Sequence, residues 1–72
     1  MGYIVNLKWD DEAYVWYATS DDIPGLVLES GSIDALIERV KIAAPEIMEL
    51  NNVPPSDTLC FHVENRIEKV YA

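Results

Sequence analysis

The stretch Trp9-Asp10-Asp11-Glu12-Ala13-Tyr14-Val15-Trp16-Tyr17-Ala18-Thr19-Ser20-Asp21-Asp22-Ile23-Pro24-Gly25-Leu26-Val27-Leu28 decides the fold. Before it, Tyr3-Ile4-Val5-Asn6-Leu7-Lys8-Trp9 alternates large apolar residues with Asn6 and Lys8, the period of a half-buried strand. Asp10-Asp11-Glu12-Ala13 is a polar turn. Tyr14 to Thr19 is aromatic and β-branched, which suits a pleated return strand. Pairing across that turn sets Trp9 opposite Tyr14, Leu7 opposite Trp16 and Val5 opposite Ala18, all on one face. Pro24-Gly25 then predicts a type II turn, because proline presets one φ and glycine accepts the positive φ that follows. A short third strand is expected over Leu26 to Glu29.

Beyond Ser30-Gly31-Ser32 the period changes. Ile33, Leu36, Ile37, Val40, Ala44, Ile47 and Met48 fall on one face of a helix, and Ser32 is its expected N-cap. Pro45 lacks a backbone donor, so it is expected to kink this helix or to start a second short turn near Ala44. Asn51 to Ser56 forms a stiff connection. Thr58 to Glu64 alternates again, with Leu59, Phe61 and Val63 directed inward. Asn65-Arg66 is either a bulge or a tight turn, because Ile67, Val70 and Tyr71 do not continue one parity.

The expected architecture is α+β, a two-layer α/β sandwich of order β-β-β-α-β. Its antiparallel sheet is covered on one face by the proline-kinked helix. Val5, Leu7, Trp16, Ala18, Leu36, Ile37, Val40, Phe61 and Val63 are the expected core. Residues 1–72 read as one domain, without repeat or linker. A chain of 72 residues buries only about 60% of the surface its unfolded form exposes. Its single Cys60 makes no internal disulfide, so association into a homodimer or higher homo-oligomer is the expected compensation. The second sheet face mixes Ile4, Val15 and Tyr17 with Asn6, Lys8 and Thr19. A one-sided antiparallel sheet normally shows polar residues there, so this face is a candidate contact surface.

Thirteen acidic residues against five basic ones give a net charge of −8. That field repels phosphate backbones and disfavours direct nucleic-acid binding; it either favours a basic protein partner or only keeps a small domain in solution. No apolar run approaches the roughly 20 residues needed to cross a bilayer, and no secretory leader is recognisable, so a cytoplasmic, membrane-free protein is expected. Cys60 and His62 lie two apart on one strand and face the same way. Thiol catalysis needs a paired base and zinc needs further ligands, and no spacing supplies either. Asp10-Asp11-Glu12 and Asp21-Asp22 lack the glycine-centred order of a calcium loop, and turn formation explains them better. Trp9, Tyr14 and Trp16 lack the basic neighbours of a base-stacking platform. The serines lack a nucleophile elbow. No catalytic residue, metal or cofactor is therefore expected.

These residues carry a family resemblance. Trp16-Tyr17-Ala18-Thr19-Ser20-Asp21-Asp22-Ile23-Pro24-Gly25-Leu26 resembles the signature of HicB-like antitoxin domains, in which an aromatic residue, an alanine and an acidic residue precede Leu/Ile-Pro-Gly. Ser32 to Ile37 resembles the start of that family's helix. Trp9-Asp10 and the run from Pro45 to Asn51 are similar to a group of short uncharacterised domains related to HicB. The likeness spans roughly residues 3–64. It implies a non-enzymatic protein that binds and blocks a small basic RNA-cleaving toxin. The rival expectation is a stand-alone oligomeric module with a regulatory or small-ligand role. No helix-turn-helix or ribbon-helix-helix segment is recognisable, so operator binding is not expected. The candidate interface residues are Ile4, Asp10, Asp11, Glu12, Val15 and Tyr17.

Overall fold

The computed structural model describes residues 2–56 and 58–64. Strands β1 (Tyr3–Asp10), β2 (Val15–Thr19) and β3 (Val27–Ser30) form an antiparallel meander, followed by helix α1 (Ile33–Leu50) and strand β4 (Leu59–Val63). The sheet order is β3-β2-β1-β4, and β4 runs parallel to β1. The expected α+β fold, with one helix on one sheet face, is present. The sheet is mixed, however, and not antiparallel as the sequence suggested. The helix is the physical cause. Its 18 residues carry the chain about 27 Å, from the Ser30 end of the sheet back to the Tyr3 end. A strand that enters there must run alongside β1, as a crossover connection allows.

The β1–β2 register also differs from the sequence reading. Leu7 lies opposite Ala18 and Trp9 opposite Trp16, two residues away from the expected pairing. Tyr14 is the reason: it belongs to the turn, with φ 55°, and its N–H donates to the Asp10 carbonyl at 2.9 Å. The Asp10 carboxylate fixes the same turn by accepting from Glu12 N at 2.9 Å and Ala13 N at 3.3 Å. A two-residue slip preserves side-chain parity, so Val5, Leu7, Trp16 and Ala18 still point towards the helix.

The core consists of Val5, Leu7, Ala18, Ile23, Leu26, Leu36, Val40, Ala44 and Met48. Trp16, Ile37 and Phe61 pack against it while half-buried. Val63, expected inside, is 40% exposed. The helix packs chiefly over β2 and β3, so the β4 side of the sheet receives less cover. The expectations for Asn65, Arg66, Ile67, Val70 and Tyr71 lie outside the described residues.

Both ends of α1 follow backbone chemistry. Ser32 caps its start: Ala35 N donates to Ser32 Oγ at 3.4 Å and Leu36 N to the Ser32 carbonyl at 3.0 Å. The helix runs unbroken through the exposed Pro45, and no second turn starts at Ala44. It stops in a Schellman arrangement. Asn52 adopts φ 55°, its N–H donates to Glu49 O, and Val53 N donates to Met48 O at 2.8 Å.

The β2–β3 corner is held to β1 by side chains just past the end of β2. Ser20 Oγ donates to the Ile4 carbonyl at 2.6 Å and accepts from Asp22 N and Ile23 N. Asp22 Oδ2 accepts from Ile4 N at 2.8 Å. Leu26 N closes the expected turn onto Ile23 O at 3.2 Å, with Gly25 at φ 88°. Asn51 Nδ2 donates to Pro24 O at 3.1 Å, tying the helix end to this corner. Ser20→Ala removes one donor and the acceptor for two N–H groups. It is expected to cost about 1–2 kcal/mol in urea unfolding, whereas a cost below about 0.5 kcal/mol would show the corner to be held by other contacts.

Candidate functional site

The sheet face away from α1 is built from alternate strand residues. One row across it reads Glu29, Tyr17, Lys8 and Glu64, and the next reads Val27, Thr19, Asn6 and His62. Ile4 and Cys60 lie side by side at the Tyr3 end. Charged and polar groups thus interrupt the apolar ones. Ile4 is 50% exposed and Val27 71%, while Val15 and Tyr17 are half-buried. Lys8 Nζ approaches Glu64 Oε2 at 3.5 Å, an exposed pair of small energetic weight.

The other candidate residues meet at the β1–β2 hairpin. Trp9, Asp10, Asp11, Glu12 and Tyr17 line a concavity of about 480 Å³, and Val15 lies directly opposite Asp10. Lys8, Trp9, Tyr17 and Glu64 line a smaller one of about 220 Å³. The hairpin end carries packed rings on the helix side of the sheet. Trp9 makes edge-on contacts with Tyr14 at 6.4 Å and with Trp16 at 5.5 Å between ring centroids. Asp10 accepts turn N–H groups, and Asp11 and Glu12 are exposed at the tip. Ile4 is set apart from this group, near the opposite end of the sheet.

Of the two acidic clusters read as turn formers, Asp10 accepts local backbone N–H groups, whereas Asp22 accepts the distant Ile4 N–H and so ties the corner to β1. It missed Tyr14, which is 74% exposed at the tip, because an aromatic residue with positive φ has no sequence signature. It also missed an apolar-lined cleft of about 470 Å³ between the end of α1 and the following loop. Pro45, Met48, Glu49, Asn52, Val53, Pro55 and Ser56 line it. The paired prolines that stiffen this loop were the available signal. Cys60 and His62 are both exposed on the open face. Among the described residues no three His, Cys, Asp or Glu side chains converge as a metal site would require.

The hairpin end is thus concave, mostly polar in lining, and carries exposed acidic side chains. Comparison with known proteins places the chain in a family. The model of the domain of unknown function DUF1902 matches residues 2–72, and the chain belongs to that family. It is similar to the hypothetical protein TTHA1013 from the extremely thermophilic bacterium Thermus thermophilus. The crystal structure of that protein superposes with a TM-score of 0.78 at 32% identity, covering 99% of this chain and 100% of the other. No curated protein matches the chain. No helix among the described residues is long and apolar enough to cross a membrane.

Proposed function

We propose that this protein acts by binding another protein rather than by catalysis, as a HicB-like antitoxin that masks a small basic RNA-cleaving toxin in the cytoplasm. The observation that carries this reading is the hairpin end, where Asp11 and Glu12 stand beside Trp9 and Tyr17 around one concavity on a chain of net charge −8. A guanidinium or ammonium group entering it gains attraction from the Asp11 and Glu12 carboxylates. Long-range attraction between an acidic and a basic protein raises the encounter rate, and apolar contact on the sheet supplies lasting affinity. The HicB-like run from Trp16 to Leu26 supports the same reading.

The test is a pull-down from the native host at moderate salt, followed by co-expression with whatever small basic protein is captured. Capture of such a protein, whose toxicity is relieved by this chain, is the expected result. If no small basic protein is captured, or growth is not rescued, the antitoxin reading fails. The second reading, a stand-alone module that binds a small ligand, is favoured by the apolar-lined cleft at Pro45, Met48, Val53 and Pro55. Apolar clefts of this size accept small molecules.

A further inference from the structure

The two edges of the sheet are built differently. β3 is four residues long, carries Glu29, and has the Glu29 carbonyl occupied by Arg39 Nη1 at 2.5 Å. A short, charged, side-chain-capped edge is how soluble proteins prevent strand pairing. β4, at five residues only one longer, lacks the charge. Leu59-Cys60-Phe61-His62-Val63 contains no Asp, Glu, Lys, Arg or Pro, and among the described residues no strand pairs with its outer edge. The helix lies over β2 and β3, leaving Leu59 and Phe61 half-buried and Val63 40% exposed on that side. One quarter of the chain is charged and its net charge is −8. This neutral edge is therefore where a second copy meets the least repulsion.

We propose that β4 is the self-association edge, with two copies joining β4 to β4 antiparallel about Phe61 into one continuous sheet. Side chains directly opposite in an antiparallel pair share a face. Centring on Phe61 sets Leu59 against the second copy's Val63 on the helix side, and Cys60 against the second copy's His62 on the open side. All five neutral residues then pair with one another. A shift of two residues either way drops some of them from the ladder and sets Leu59 or Val63 against the flanking chain. Both helices end on the same side of the joined sheet. The acidic hairpin tip is a separate part of the surface, so failure of this pairing leaves the toxin-binding reading standing, and the converse holds.

The register has a chemical readout. In His62→Cys the introduced thiol lies opposite Cys60 of the second copy, so two disulfides close around the axis in a glutathione redox buffer, whose disulfide takes up the electrons. Within one strand, positions 60 and 62 are about 6.6 Å apart along the chain and their side chains run parallel, too far for the roughly 3.8 Å between Cβ atoms that a disulfide needs. Wild-type protein is expected to sediment at twice 8.1 kDa and to remain uncrosslinked in the same buffer. His62→Cys is expected to run as a covalent dimer without reductant. Val63→Lys, at an already exposed position, is expected to weaken self-association by at least about tenfold while its thermal melt stays near that of the wild type. The variant lowers the net negative charge, so repulsion would not explain that loss.

A wild-type protein that stays monomeric to several hundred micromolar overturns the proposal. A dimer that forms no His62→Cys crosslink also overturns it, by placing the interface elsewhere. Should Val63→Lys fail to fold, the crosslink decides alone.

Discussion

Ile23→Ala is expected to destabilise the protein by roughly 2–5 kcal/mol, a loss set by a buried branched side chain whose cavity cannot collapse. Ile23 is fully buried, and its position is fixed from both sides. Its N–H donates to Ser20 Oγ at 3.2 Å, and its carbonyl accepts from Leu26 N across the Pro24-Gly25 turn. Asn51 pins the same turn to the helix end through Pro24. The backbone around a shortened side chain is therefore held in place and cannot move inward to fill the space. For a domain of this size each kcal/mol shifts the melting temperature by about 4–8 °C, so a fall of roughly 8–40 °C is expected by circular dichroism. Ile42→Ala is the control, because Ile42 is 69% exposed on the helix and its truncation should cost within about 0.5 kcal/mol. Similar melting temperatures for the two variants would contradict the core described here.

That prediction rests on a residue whose role the sequence did not disclose. Ile23 read as part of a turn, because Ile-Pro-Gly marks a chain reversal, and turns are ordinarily solvated. Its burial follows from the corner folding back under α1, a tertiary event with no local signal. The elements themselves were legible because each relied on local chemistry. Alternation marked β1, and the 3.6-residue period with Ser32 marked the start of α1. Pro24-Gly25 marked the turn that Gly25 completes at positive φ. The direction of β4 was less accessible. Alternation shows that a strand has an inward face, but not which neighbour it joins or in which sense. Here the length of α1 set the sense by returning the chain to the Tyr3 end.

The candidate site was legible in a similar, partial way. Composition identified an acidic surface, and the hairpin residues were correctly grouped as a turn with aromatic flanks. Tyr14 shows what was hidden. Its assignment to β2 set the β1–β2 pairing two residues off, and only the even size of that slip kept Val5, Leu7, Trp16 and Ala18 on the correct face. A slip of one would have exchanged the core and solvent faces. Ile4 was grouped with the tip by parity alone, since residues on one sheet face can still lie at opposite ends of a strand.

Replacing both Asp11 and Glu12 by lysine is expected to slow association with a captured basic toxin by roughly 10–100-fold at low salt and to abolish growth rescue. Each substitution changes the charge by +2, so the pair moves the chain from −8 to −4 and reverses the field at the hairpin tip. Asp10 is left in place because its carboxylate accepts the Glu12 and Ala13 N–H groups, and its removal would disturb the turn as well as the charge. Those bonds come from backbone N–H groups and survive the side-chain changes. A melting temperature close to that of the wild type would show that the loss is one of recognition. Salt separates the electrostatic cause from a steric one. The Debye length falls from about 10 Å at 0.1 M to about 3 Å at 1 M, so the two proteins' association rates should converge as salt rises. Stopped-flow association measured across that range checks both points. An unchanged rate at low salt would remove the hairpin tip from the contact surface, and a deficit that persists at 1 M would mean that the lysines obstruct the partner rather than repel it.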